Sequence, residues 1–423
     1  MKKSSQRARA VVVALGLSAV MVTTGCSASN SSSASDKKLE FVTYQSGAAA
    51  TKYTKLISAF EAANPGVKVT FETLPGDGTY NTVLTSRISG GKAPDIFEVL
   101  NGMPGEIPFT DAGLLADLSD QPWKSSQIPV VRNADTFVGN KTYQYIGQLD
   151  PIGVYYNKDI FAKNNVTVPT DWSEFTKDIA TFRAAGVTPL ASGAKDGWPL
   201  VVQGLAMAAE RPEFAAGGKQ APALLSGKMK FSDSAWKAVV KDFSDLVANK
   251  SYDPSASGVT FDASATDFAN GNAAMMIQGT FALPAIQKAN PALSLSSFPL
   301  PYVSAGQTPV TSVSYGAQLV IPKKAPHLAL AKKFIAFLAG STELSKFLTD
   351  AQAFSPQEGS AGKIDKGLDP LVPAVAKKSA EYNMQSGMTP AVQAALQSGL
   401  QAIIAGSGTV QDTVAAMDRA QTP

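Results

Sequence analysis

The chain has 423 residues, 44% of them hydrophobic and 17% charged, with 34 Gly and 26 Pro. This is globular composition, and at about 150 residues per domain it suggests two or three domains. Lys2, Lys3, Arg7 and Arg9 all fall within the first 25 positions; without them Lys+Arg drops from 37 to 33 against 34 Asp+Glu, and the formal charge goes from +3 to −1. A basic face for nucleic acid is therefore not expected. The one Cys excludes an intrachain disulfide and a cysteine-based zinc site. The one His, His327, excludes a two-His metal site and limits any Ser-His-Asp triad to that imidazole. No G-x-x-x-x-G-K-[ST] phosphate loop occurs, and Gly76-Asp77-Gly78 reads as a turn rather than a dinucleotide fingerprint. No metal and no cofactor are expected.

Residues 1–25 read as a signal peptide. The basic start precedes Ala10–Val22, 13 residues without a charge. At about 1.5 Å per residue this is too short for a hydrocarbon core of about 30 Å. Thr23-Thr24-Gly25-Cys26 then resembles the lipobox of bacterial lipoproteins, with Thr23 where an aliphatic residue is usual. By that resemblance Cys26 is the lipidated first residue, and residues 26–37, rich in Ser, form a tether. The expected location is extracytoplasmic, on the cell membrane.

The body opens with Leu39–Tyr44, a strand. Tyr53, Leu56, Ile57 and Phe60 share one helical face, and Val67, Val69 and Phe71 alternate as a second strand. Strand, helix and strand in this order make a βαβ unit with a parallel sheet. A helix over Tyr80–Ser89 follows, then a strand over Asp95–Leu100. Ligands of such sheets sit beyond the carboxyl ends of the strands, here at Tyr44-Gln45, Asp77 and Asn101. Further on, strands are predicted at Gly153–Tyr156, Ala273–Ile277 and Ala317–Ile321. Helices are predicted over Trp172–Ala185 and His327–Ala339, with a mostly helical stretch from Pro370 to Asp418. His327 is expected to be solvated, and Asp95 to bond nearby backbone N–H groups.

Six segments in this order resemble the extracellular solute-binding proteins of bacterial carbohydrate ABC importers, the maltose-binding protein group. They are Gly91–Ile96, Gly113–Leu118, Gly153–Phe161, Trp172–Phe175, Phe268–Met275 and Ala329–Leu338. The resemblance implies an α/β fold of two lobes with a hinge and an interlobe ligand cleft. It places one lobe at 38–148 and 315–358 and the other at 149–314 and 359–423. Crossings are expected near Gln148–Pro151, Val310–Ser314 and Ser355–Lys363. It also implies no enzyme: a monomer that captures a sugar or oligosaccharide and delivers it to the permease subunits of an importer. A non-sugar solute (peptide, polyamine, glycerol phosphate) and a carboxylate-dependent surface glycoside hydrolase are the alternatives.

A sugar cleft needs flat apolar plates for C–H faces and polar groups for buried hydroxyls, since each hydroxyl left unpaired costs about 1–3 kcal/mol. Tyr44, Gln45, Asp77, Tyr80 and Asn101 are the candidates from the first strands, and Asp150 is the candidate at the hinge. From the other lobe come Trp198, in Gly197-Trp198-Pro199, and Gly279 and Phe281, where the family usually has Trp in place of this Phe. Tyr315 and Gln357 complete the set. Candidate loops without Arg favour a neutral ligand.

Overall fold

In the computed structural model, the described residues are 37–75, 79–99, 107–134, 141–214, 220–373 and 388–421. The expected signal, the expected lipidation site Cys26 and nearly all of the expected tether, together with Asp77 and Asn101, lie outside them.

Among the described residues, eight strands run in the order β2-β1-β3-β8-β4-β6-β5, with β7 also paired to β4. They are β1 (Lys38–Thr43), β2 (Lys68–Thr73), β3 (Ile96–Glu98), β4 (Gln144–Asn157), β5 (Thr188–Ala191), β6 (Ala273–Gly279), β7 (Leu295–Pro299) and β8 (Val313–Val320). β1 pairs in parallel with both β2 and β3, as the βαβ reading requires. Helix α1 (Gly47–Ala63) connects the first two strands, and α2 (Tyr80–Ser89) has the predicted bounds.

β4 organises the molecule. Its first part, Gln144–Pro151, pairs antiparallel with β8. Its second part, Ile152–Asn157, pairs with β6 on one side and β7 on the other. One strand therefore belongs to two sheets, and a lobe is built on each. The first lobe packs Phe41, Tyr53, Phe60 and Leu319 against helices Leu328–Leu338 and Ser341–Ala351. The second packs Val154, Met275 and Ile277 against helices Trp172–Ala184, Trp198–Ala209, Trp236–Ala248 and Pro390–Ile404. The fold is thus the expected two-lobed α/β fold.

β4 is 14 residues long where the sequence suggested only Gly153–Tyr156. Gly147, Gln148, Asp150 and Pro151 break the apolar pattern, yet almost the whole strand is buried. Period-two alternation fails for a strand covered on both faces. β3 is shorter than expected, and β8 begins at Val313 rather than Ala317.

His327 corrects another expectation. It is the residue before helix Leu328–Leu338, and its side chain is mostly covered. Its backbone N–H donates to Asp95 Oδ1 at 2.7 Å, and Nδ1 lies 3.0 Å from Oδ2. Asp95 also accepts from Glu40 N at 2.8 Å, so it is the backbone-bonding residue expected and the lone imidazole completes its shell.

Candidate functional site: a polar floor and an aromatic wall between the lobes

A run of buried polar side chains lies where the two sheets meet. Asp150, 2% exposed, sits on β4 next to the change of partner strands. Its Oδ2 accepts from Gln148 Nε2 at 2.7 Å. Its Oδ1 accepts from Thr280 Oγ1 at 2.8 Å, in the turn that follows β6. Gln148 Oε1 in turn accepts from Lys52 Nζ at 2.8 Å, and Lys52 on α1 is only 7% exposed. Four side chains thus join α1 in the first lobe to the end of β6 in the second. Gly316 on β8 makes room for them: a Cβ there would lie 2.6 Å from Asp150 Oδ2 and 2.7 Å from Gln148 Cγ.

Glu98, fully buried on β3, extends this floor. It accepts from the Thr43 hydroxyl and, at 3.3 Å, from Gln45 Nε2. Burial raises the Glu98 and Asp150 carboxyls above their ordinary range, and the Lys52 ammonium is the largest opposing influence on each. Burial lowers the Lys52 ammonium, while Glu98 and Asp150 hold it up. One cation therefore serves two carboxylates. The Tyr44 phenol is pushed well up, first by burial and then by the charges of Glu98 and, more weakly, Asp150. That places Tyr44 and Gln45 against the same floor.

The wall belongs to the second lobe. Trp198 opens a helix after Gly197, whose φ of 73° suits glycine. The indole is half-buried, with its centroid 4.7 Å from Phe261 and 5.9 Å from Phe281. Gly279 has a steric role: a Cβ there would meet the Phe281 ring at 2.3 Å, so the glycine lets the ring fold back. Thr280, bonded to Asp150, immediately precedes Phe281 and joins wall to floor. Nearby, the buried Tyr155 hydroxyl has no hydrogen-bond partner among the described residues, and Asp150 contributes to raising it. Gln278 Oε1, beside Gly279, is likewise buried without a partner.

The structure thus brings together Tyr44, Gln45, Asp150, Trp198, Gly279 and Phe281. Three further expected ligand residues are buried and bonded or packed within the protein. Tyr80 is fully buried, and its hydroxyl donates to the Glu98 carbonyl at 2.5 Å, which ties α2 to β3. Tyr315 packs with Val131, Ile146 and Leu149. Gln357 is buried and donates to the Tyr145 hydroxyl at 3.1 Å. Lys52, Glu98, Gln148, Thr280 and Phe261 were not anticipated. Of these, Thr280 had a signal in its place beside Phe281 in the loop singled out, and Gln148 in its place at the first expected crossing.

A family model described as bacterial extracellular solute-binding protein matches residues 44–343, and the chain belongs to that family. It is 26% identical over 342 residues to the multiple sugar-binding protein of Streptococcus mutans, covering 79% of this chain and 78% of that one. It is 22% identical over 332 residues to the melibiose/raffinose/stachyose-binding protein of Bacillus subtilis, covering 76% and 74%. Among solved structures, a solute-binding protein in complex with raffinose superposes with a TM-score of 0.77 at 22% identity, over 91% of this chain and all of the other. A binding protein of Bacillus subtilis in an open conformation gives 0.74 at 19% identity, over 90% and 96%. Among the described residues, no helix is long and apolar enough to cross a membrane.

Proposed function

We propose that this protein captures a neutral sugar or oligosaccharide between its lobes and hands it to the permease of an ABC importer, without chemistry of its own. The observation that carries this reading is the pairing of a half-buried Trp198–Phe261–Phe281 wall with a hydrogen-bonding floor at Asp150. A sugar offers C–H faces to the former and hydroxyls to the latter. Each Asp150 oxygen already accepts one bond and retains a lone pair for a ligand hydroxyl. The sugar-binding names of the two relatives support the same ligand class.

The proposed lobes are residues 38–148 with 315–358, and 149–314 with 359–423. The exchange of partners along β4 between Pro151 and Ile152 supports the first boundary. Cys26 is the proposed lipid anchor, holding a monomer at the outer face of the cell membrane. Tyr44, Gln45, Asp77, Asn101, Asp150, Trp198 and Phe281 are the proposed ligand contacts, with Phe261 added.

A thermal-shift screen tests the function. Raffinose, stachyose, melibiose and a panel of neutral mono- and oligosaccharides are compared with peptides, polyamines and glycerol phosphate. A ligand at 100 times its Kd adds about 2.7 kcal/mol of stability. Stabilisation by a polyamine or peptide and by no sugar overturns the reading.

A further inference from the structure

Lys52 is the cation of this buried cluster. It lies on α1 with its ammonium 5.3 Å from the Tyr53 ring centroid and 5.5 Å from that of Phe347. Taking an ammonium out of water costs several kcal/mol, and removing it alone would leave the buried Glu98 and Asp150 carboxyls without their cation. Ring faces return only part of that cost. The one hydrogen bond its ammonium makes among the described residues is to Gln148 Oε1. Gln148 is fixed from both ends. Its amide oxygen can take the Lys52 proton only while its NH2 points at Asp150, so the cation also sets which way the amide faces.

We propose that Lys52 is the positioning residue of the cleft: acting through Gln148, it orients the Asp150 carboxyl and keeps it ionised as an acceptor for ligand hydroxyls. The inference rests on the ligand reading of Asp150 given above. Gln148 and Thr280 also favour the ionised carboxyl, through hydrogen bonds that carry no charge. Glu98 on β3 competes for the same ammonium. Tyr44 after β1 and Tyr155 on β4 are phenols whose own ionisation Asp150 opposes. Thr280 from the second lobe donates without charge. Among the described residues acting on the Asp150 carboxyl, Lys52 alone carries a positive charge. Without it, a carboxyl 2% exposed would hold its proton to higher pH and offer one acceptor oxygen fewer.

The test is a pH titration of the full chain labelled with 13C at the aspartate carboxyl carbon. The Asp150 resonance is the one lost in Asp150→Asn, and no ligand is added. Because Glu98 and Asp150 share one cation, the midpoint belongs to a coupled set, and it is the change between variants that decides. Lys52→Met is expected to raise the Asp150 midpoint by about one pH unit or more. Gln148→Met, which removes the amide but leaves every charge, is expected to raise it by less. An unchanged or lowered midpoint in folded Lys52→Met overturns the proposal. If that variant does not fold, an unchanged midpoint in Gln148→Met does so. Since no sugar is present, a shifted midpoint beside a failed sugar screen rejects the ligand reading and leaves the hold of Lys52 on Asp150 standing. The reverse pair of results rejects the hold alone.

Discussion

The floor and the wall of the cleft are built on opposite physical terms. The wall is three aromatic rings at centroid separations of 4.7 and 5.9 Å, half-exposed, on two helix starts and the turn between Gly279 and Leu283. It needs only area and loses little if one ring shifts. The floor is charged, buried and joined side chain to side chain across both lobes. Each member there is conditional on the next, because an unmatched group in a low-dielectric interior costs far more than a lost contact. Affinity is therefore expected to reside mainly in the wall, and the pH dependence and geometry of binding in the floor.

The largest effect expected is on the wall. Trp198→Ala removes a stacking face and apolar area, for a loss of roughly 2–4 kcal/mol or about 30- to 1000-fold in sugar affinity. Calorimetry with a sugar found in the screen measures it. Since the ring also packs on Phe261 and Phe281, a modest fall in Tm should accompany it. An unaltered Kd would remove Trp198 from the site and leave the floor to carry affinity. On the floor, Gly316→Ala puts a methyl group 2.6 Å from Asp150 Oδ2. Overpacking of this kind costs about 1–3 kcal/mol. Urea denaturation should show it, and wild-type stability would mean that the floor is slack.

The two regions were unequally legible in the sequence. Trp198 and Phe281 stood out because large aromatics in glycine-rich turns have no helical or strand face to serve. Phe261 lies on a helix start about 60 residues from Trp198, and nothing local marks it as their neighbour. Asp150 was visible at a predicted hinge. Lys52 was not, since in α1 it directly precedes the apolar stripe that starts at Tyr53 and reads as one more solvated lysine. Glu98 ends the strand Ile96–Glu98 on the face of the core residue Ile96, and three residues are too few for a pattern to mark a buried carboxyl. Strand order and lobe architecture were readable from pattern and resemblance. Burial of single polar groups was not, because it depends on what the other lobe lays over them.

Glu210 sharpens the comparison, as a buried carboxyl with no cation acting on it. It ends the helix Trp198–Ala209 and accepts from Val310 N at 2.7 Å. Burial pushes it up to about 8 from 4.5, with only that backbone bond opposing. Below pH 4.5 both native and unfolded chains hold the proton. Between there and about 8 the unfolded chain releases it while the native chain retains it, so this contribution to stability is lost as pH rises. Glu210→Gln keeps the acceptor and removes the titration. It should flatten the fall in stability across that window and leave the variant more stable than wild type at pH 8. Parallel urea curves at pH 5 and pH 8 check this, and an equal gap at both pH values would reject it.

The smallest effect expected isolates burial as the cause of the difference between lysines. Lys55 lies one turn along α1 from Lys52 and pairs with Asp350 at 2.5 Å, with its side chain 60% exposed. Water screens that pair and the long side chains lose entropy on holding it, so exposed pairs contribute about 0.2–1 kcal/mol. Lys55→Met should shift stability by less than about 0.5 kcal/mol, weaken further in its effect at 1 M salt, and leave both the Asp150 midpoint and sugar affinity unchanged. Lys52→Met and Lys55→Met delete the same charge from the same helix, three residues apart. If they move the Asp150 titration equally, the field of the whole helix sets that carboxyl, and the relay through Gln148 has no special part in it.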